Sequence, residues 1–401
     1  MLYTEDEVFE FVEQEDVKFI RLAFCDCDGV QKNISIMPSE LKRAFKHGIS
    51  FDAAAVKGFG KVEQSDLFLF PLPETLNVLP WRPSRGRVVR MFCDIKYPDG
   101  RLFEKDSRYI LKQAVKEAQE AGCRMQFGSE FEFYIFKTDE NGDPTKEPFD
   151  HAGYMDVFPD DKGETVRRDI CLLIDDMGIH PESSHHEEGP SQHEIDFRYS
   201  DPVSAADNAV NFKSAVYAAT MNNGLCADFS PKPLENESGN GMHINISVIC
   251  SDGKDRTQQF MAGILEHIKE ITAFLNPHED SYRRLGERKA PKYITWSPEN
   301  RSPLIRIPAA KDPFKRIELR SPDAMANPYI AYALLIYAGL DGIKRELTAP
   351  APVNVNLFSA PDEITGKLDR LPDSLGEARE AARNSAFIKE HLPESFCETW
   401  S

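Results

Sequence analysis

Two glutamates next but one along an aromatic run, Gly128-Ser129-Glu130-Phe131-Glu132-Phe133-Tyr134-Ile135-Phe136, are the first residues of this chain that invite chemistry. The run is rich in β-favouring residues and reads as a strand, so its side chains alternate between faces. Ser129, Phe131, Phe133 and Ile135 then point one way, and Glu130, Glu132 and Tyr134 the other. Paired carboxylates framed by phenylalanine do not both sit comfortably as bare charges in a partly buried place. Either one is protonated or a cation lies between them.

Three later stretches offer matching chemistry. His185-His186-Glu187 opens a polar, turn-rich run that ends strand-like at Gln192-His193-Glu194-Ile195-Asp196-Phe197. Histidine with carboxylate suits a divalent cation with mixed ligands. Gly239-Asn240-Gly241 is a tight loop that permits close backbone approach to a ligand, and it leads into Met242-His243-Ile244-Asn245-Ile246-Ser247. Period two places His243, Asn245 and Ser247 on one face and the apolar residues in the core. Arg301 and Arg306 flank a short strand, and Lys315 to Arg320 sets Arg316, Glu318 and Arg320 on one face. In so acidic a chain these arginines suggest an anion site, because guanidinium binds carboxylate or phosphate bidentately.

Together the strand faces offer Glu130, Glu132, Glu187, Glu194, Glu318 and His243 as metal ligands, and Arg284, Arg301, Arg306 and Arg320 as anion clamps. Such a set suits an ATP-dependent reaction on a carboxylate substrate: metals neutralise phosphate oxygens while arginines hold the substrate and developing charge. No Gly-x-x-x-x-Gly-Lys loop is present, so a P-loop enzyme is excluded.

The rest of the chain must position these residues. Its 401 residues exceed one ordinary domain, and 41% hydrophobic content with 26 phenylalanines supplies a substantial core. A net charge of −18 argues against nucleic acid as a partner. No apolar run approaches the length of a membrane span, and the acidic N-terminus lacks a signal-peptide core. Eight scattered cysteines without Cys-x-x-Cys read as reduced, mostly buried thiols of a cytoplasmic protein.

Thr4 and Glu7 form a capping-box pattern before a short helix. Two strands follow, joined by a hairpin turn at Asp28-Gly29, then a helix after Pro38 and a strand over Arg87 to Cys93. Residues 1–97 are thus expected to form a small α+β unit, and residues 98–401 a larger one. In the latter, helices are expected from Asp106 to Gly122, Thr165 to Met177, Pro202 to Asn223, Gln258 to Leu275, Asn327 to Leu347 and Ser374 to Glu390, and a loop over Thr138 to Pro148.

At these residues the sequence resembles type I glutamine synthetase over nearly its whole length. The matching motifs run in order through Phe51-Asp52, Gln64-Ser65-Asp66, Glu130-Phe131-Glu132-Phe133, His185-His186-Glu187, Gln192-His193-Glu194 and Lys232-Pro233-Leu234. They continue through Gly241-Met242-His243, Asn300-Arg301-Ser302, Arg306-Ile307-Pro308, Arg316-Ile317-Glu318-Leu319-Arg320 and Asn327-Pro328-Tyr329. The resemblance implies an α+β fold: an N-terminal β-grasp domain and a larger catalytic α/β domain with an antiparallel sheet. It implies two or more Mg²⁺ or Mn²⁺ ions, one held by Glu132, Glu187 and Glu194 and one by Glu130, His243 and Glu318. Arg284, Arg320 and the loop at Gly239 would hold L-glutamate, while Glu182, Asn245, Ser247, Arg301 and Arg306 would line the ATP side. The implied reaction is γ-phosphorylation of glutamate followed by attack of ammonia. Asp52 would act as a catalytic acid–base group beside Arg301 and Arg306, reaching across a subunit interface in a ring-shaped homo-oligomer.

The chain departs from that family at several points. Asp52-Ala53-Ala54-Ala55 replaces Asp-Gly-Ser-Ser, Lys289 stands where the flap carries glutamate before Ala-Pro, and Ser238 replaces an asparagine found in many members. The family's C-terminal helical extension is not seen after Ser401. A cation at 289 would repel ammonium, so two alternatives accompany the leading expectation: a γ-glutamyl ligase for an organic amine, or a non-catalytic paralogue.

Overall fold

Thr4 caps helix α1 (Glu5–Gln14) as its sequence pattern predicts. Its hydroxyl accepts from the Glu7 N–H at 3.3 Å, and Glu7 Oε2 accepts from the Thr4 N–H at 2.7 Å. The computed structural model describes residues 3–81, 86–310 and 315–400. After α1 the chain forms β1 (Val17–Cys25), β2 (Gln31–Ile36), α2 (Leu41–His47), β3 (Ile49–Asp52), β4 (Asp66–Pro71), β5 (Asn77–Val78) and β6 (Arg87–Lys96). These strands make one sheet in the order β2-β1-β6-β4-β3, with β5 paired to β6. The alternation in β1 divides its side chains between two cores. Ile20, Leu22 and Phe24 pack inside this first unit, whereas Ala23 and Cys25 join the larger core of the second.

The second unit runs α3 (Ser107–Glu120), β7 (Cys123–Thr138), β8 (Pro144–Pro148), α4 (Glu164–Asp176), β9 (Pro181–His186), β10 (Gln192–Phe197), α5 (Pro202–Asn222), β11 (Leu225–Asp228) and β12 (Met242–Cys250). It continues with α6 (Thr257–Leu275), α7 (Glu279–Arg284), β13 (Trp296–Pro298), β14 (Ile305–Ile307), β15 (Ile317–Leu319) and α8 (Pro328–Lys344). Toward the C-terminus lie α9 (Asp362–Thr365), α10 (Leu375–Asn384) and α11 (Ala386–His391). Its sheet has the order β13-β14-β15-β12-β7-β10-β9, antiparallel except for β13 with β14. Strand β7 is the organising element: it pairs with β12, β10, β11 and β8.

One face of β7 is mostly apolar, with Ser129 on it bonded to the Tyr332 hydroxyl. Phe131, Phe133 and Ile135 are fully buried against Phe197, Phe212 and Phe229, and each such side chain contributes about 1.5–3 kcal/mol. The buried helix α8 lies in the same core, with the Tyr332 ring tilted against Phe127 at 4.6 Å between centroids. The two units are joined by polar contacts as well as by shared core. Arg90 donates to Asn211, Asn77 donates to the Met177 carbonyl at 2.7 Å, and Asn327 donates to the Cys27 carbonyl at 3.1 Å.

The structure differs from the sequence expectation in three local places. Residues 144–148, read as loop, form strand β8 on the edge of the sheet. The start of the His185-His186 run, read as turn, belongs to strand β9, and the turn comes after it. The single helical pattern from Ser374 to Glu390 is broken at Ser385, whose hydroxyl accepts from the Ile388 N–H at 3.0 Å and so starts a new helix.

Candidate active site

Antiparallel register stacks the predicted ligands on one face. His243 on β12 and Asp196 on β10 lie opposite Glu130, and Glu194 lies opposite Glu132. His185 on β9 is opposite Glu194, and Glu318 on β15 is opposite both Asn245 and Arg306. Directly opposed side chains share a face, and like charges so placed are destabilising. Here Glu130 faces Asp196 and Glu132 faces Glu194, a local conflict that the fold retains.

The contacts show how each carboxylate is held. Glu130 Oε2 is 3.2 Å from His243 Nδ1, and Glu130 Oε1 accepts from the Asn245 amide at 2.8 Å. Glu132 Oε2 accepts from the Gly241 N–H at 2.6 Å. Glu318 sits between Arg306 at 2.7 Å and Arg320 at 2.5 Å. Glu187, in the turn after β9, lies 3.2 Å from His185 Nε2. Ligand atoms of Glu130, Glu194 and His243 fall within 4.8 Å of one another, as do those of His185, Glu187 and Glu194. Glu194 is therefore common to both groups. Glu132 and Glu318 stand beside them, held by a backbone N–H and by the two arginines.

The electrostatics separate these acids. Burial pushes Glu194 well above the usual carboxylate range, and Asp196, Glu132, Glu130 and Glu187 push it further. Burial, then the Glu130 charge, pushes Asp196 up to about 7. Burial also raises Glu130, but His243, Asn245 and Arg320 outweigh it and bring the group down to about 2. Asp196 Oδ1 is buried with no hydrogen-bond partner among the described residues. An excess of oxygen donors, mutually repelling and incompletely satisfied, fits hard divalent cations.

Around this face the cavity has two lobes. The first, about 240 Å³, is lined by Glu132, Glu187, Glu194, His243, Gly239, Arg284, Arg301, Arg320 and Lys289. The second, about 300 Å³, is lined by Glu182, Asn245, Ser247, Asp196 and Arg316. Glu130 belongs to both. Arg284 is buried, and its guanidinium donates to the carbonyls of Ser321 at 2.8 Å and Arg320 at 3.3 Å. The glycines beside it are required by close approach. A Cβ on Gly239 would meet Pro231 O at 2.4 Å, and one on Gly241 would meet the Arg284 guanidinium at 2.6 Å.

Some expected site residues lie elsewhere. Arg301 lines the first lobe with the carboxylates, apart from Glu182, Asn245 and Ser247 in the second. Arg306 lines neither lobe and is engaged with Glu318 and the Glu299 carbonyl. Asp52, at the end of β3, lines neither lobe of its own chain; its carboxylate accepts from the Ala54 N–H at 2.9 Å. His186 points away from the cleft. It is fully buried 2.9 Å from Asp150, with the ring of His193 edge-on at 4.9 Å. Sequence reasoning missed Tyr154 and Glu188, which line the first lobe. Tyr154 comes from a distant loop with no local signal, and Glu188 was passed over beside Glu187.

Comparison with known proteins agrees with this geometry. Residues 16–98 match the family model "Glutamine synthetase, beta-Grasp domain", and residues 104–401 match "Glutamine synthetase, catalytic domain". The chain is 44% identical over 407 residues to a glutamine synthetase of Methanosarcina mazei, covering 98% of this chain and 91% of that protein. It is 42% identical over 409 residues to one of Staphylococcus aureus, covering 97% and 91%. Among solved structures, one titled "GmaS/ADP complex-Conformation 1" superposes with a TM-score of 0.89 at 27% identity, covering 98% of this chain and 93% of that one. A Plasmodium falciparum glutamine synthetase shares the fold, with a TM-score of 0.87 at 24% identity over 99% of this chain and 94% of that one. With both domains matched in order and the acid and arginine sets on one sheet face, the chain belongs to the glutamine synthetase family of ATP-dependent carbon–nitrogen ligases.

Proposed function

We propose that this chain ligates ammonia to the γ-carboxylate of L-glutamate: ATP transfers its γ-phosphoryl group to that carboxylate, leaving ADP, and ammonia displaces phosphate from the γ-glutamyl phosphate. The observation that carries this reading is the single sheet face on which Glu130, Glu132, Glu194 and His243 stand beside Arg284 and Arg320. Divalent cations bound there, Mg²⁺ or Mn²⁺, would neutralise phosphate oxygens during transfer. Glu132, Glu187 and Glu194 would serve one ion, and Glu130, His243 and Glu318 the other.

The protein's own groups account for the remaining tasks. Arg284 and Arg320 hold the substrate's carboxylate with donors fixed by backbone carbonyls and by Glu318, so little ordering is left to occur at binding. Arg301 offers a further guanidinium to charge developing in the first lobe. Glu182, Asn245 and Ser247 line the second lobe and would receive the nucleotide, with Arg306 fixing Glu318 behind it. Asp52 would take a proton from ammonium in the cleft of a neighbouring subunit, because it lines no lobe of its own chain. That role makes a homo-oligomer with shared sites, in the cytoplasm, part of the proposal. No helix among the described residues is long and apolar enough to cross a membrane.

A coupled ADP-release assay with glutamate, ammonium and Mg²⁺ or Mn²⁺ tests this reading, and absence of ammonium-dependent turnover with either metal would refute it. Lys289 lines the first lobe, so ammonia is to be compared there with organic amines. Running methylamine and longer amines in the same assay separates the two.

A further inference from the structure

Lys289 does not point a free charge into the cleft. Its Nζ lies 2.7 Å from Glu188 Oε1 and 4.7 Å from the centroid of the Tyr154 ring. All of these residues line the first lobe. Glu188 directly follows the candidate ligand Glu187, whose Oε2 accepts the Glu188 N–H at 2.9 Å, and Tyr154 packs edge-on against His185 at 5.3 Å. The loop carrying Lys289 is fastened independently. Glu287 pairs with Lys232 at 3.1 Å, and Arg288 donates to the Asn236 carbonyl.

A carboxylate above an aromatic face is a chemically complete receptor for a primary ammonium group. In this chain an alkylammonium already occupies it: the end of the Lys289 side chain. The pair is about half exposed on the lysine side and a third exposed on the glutamate side. Ion pairs that exposed are weak, so the occupant is exchangeable. We propose that Glu188 and Tyr154 form a seat for a primary alkylammonium group on the acceptor side of the cleft, and that Lys289 is its built-in occupant. Lys289 thereby competes for that seat with amines that carry an alkyl chain. This inference rests on the proposed ligase reading and names the residues that set its acceptor specificity.

The test combines binding with turnover. n-Propylammonium chloride is titrated calorimetrically into the full chain as wild type, Lys289→Ala, Lys289→Met and the double variant Lys289→Ala/Glu188→Gln, each checked for an unchanged melting curve. Lys289→Ala is expected to bind propylammonium at least about tenfold more tightly than wild type. Glu188→Gln in the same background is expected to erase the gain, and Lys289→Met, an apolar occupant of similar length, to show none. In the ADP-release assay, Lys289→Ala should raise kcat/KM for n-propylamine relative to ammonia at least about tenfold. Equal titrations for wild type and Lys289→Ala, or a gain that survives Glu188→Gln, would overturn the inference. Failure of every form to turn over ammonia would instead count against the ligase reading, while the titrations still decide the seat.

Discussion

Two clusters of histidine and carboxylate lie on either side of the β9–β10 pair, and they are built on opposite principles. In the cleft, six glutamates line the first lobe with five cations, Arg284, Arg288, Lys289, Arg301 and Arg320, and the charges of Glu130, Glu132 and Glu187 repel that of Glu194. Behind it, Asp150 and His186 are 2.9 Å apart, and Asp150 Oδ1 also accepts from the Ser191 N–H at 3.0 Å. Asp161 and Arg167 pair at 2.7 Å, and Arg167 donates to His193 Nδ1 at 3.0 Å. Arginine has no acceptor, so His193 carries its proton on Nε2, and that ring is unsuited to bind a cation there. Residue type does not distinguish the clusters; charge balance does, with only Asp161 Oδ1, Arg167 Nε and His193 Nε2 of the second left without a partner among the described residues. A balanced set holds the fold, and an acid excess waits for a ligand.

That contrast is open to direct attack. The largest expected effect is on the balanced side: Asp150→Asn leaves His186 and several N–H donors without their charge partner. It should cost about 3–5 kcal/mol, the scale for breaking a buried pair, read by denaturant unfolding. On the acid-excess side, Glu194→Gln should lower kcat at least about a hundredfold, a scale set by groups that tune a metal site. Because it removes repulsion, it should leave the melting temperature of the metal-free protein unchanged or raised. A loss of stability comparable to that of Asp150→Asn would erase the distinction.

The pH dependence of the two clusters should share a sign but fall in different windows. Asp196 is raised to about 7 in the folded chain, so between about pH 4, its unfolded value, and pH 7 the folded state binds more protons. Its contribution makes metal-free stability fall as pH rises through that window. Mg²⁺ or Mn²⁺ needs the deprotonated acids, so its stabilisation should be larger at pH 8 than at pH 6. At a hundred times its dissociation constant it should approach about 2.7 kcal/mol. For His186, burial opposes the proton, but the Asp150 and Glu187 carbonyl contacts outweigh it and raise the group. Its contribution is full below its unfolded value near pH 6.5 and is lost above the raised folded value. His186→Gln should remove that alkaline fall without changing the response to metal. The smallest effect is expected from Tyr134→Phe, which removes the 2.6 Å bond to the Ser238 carbonyl. About 1 kcal/mol of stability should be lost, with a higher KM for glutamate as the Gly239 loop loosens.

Period-two reading of Gly128–Phe136 and Met242–Ser247 assigned both faces of β7 and β12, because strands with one apolar face announce their register. The polar edge strands were harder. β8 and β9 read Pro-Thr-Lys-Glu-Pro and Pro-Glu-Ser-Ser-His-His, with no apolar alternation, since edges are kept polar. For the same reason His185 and His186 were taken together, although the strand sends them to opposite sides. The arginines were legible as an anion set, but their division between lobes depends on how β14 and β15 pack, which no local pattern encodes. Tyr154 and Glu188 join Lys289 through contacts spanning more than a hundred residues of chain for the pair with Lys289.

Glu130 borders both lobes, and this makes them a linked system. A ligand in the second lobe that fixes the Glu130 carboxylate in its Asn245-bound position must strengthen any cation held from the first by that same placement. By thermodynamic reciprocity the reverse gain is equal. Order of addition then becomes a property of one side chain: with Glu130 intact, the occupant of either lobe reports on the other.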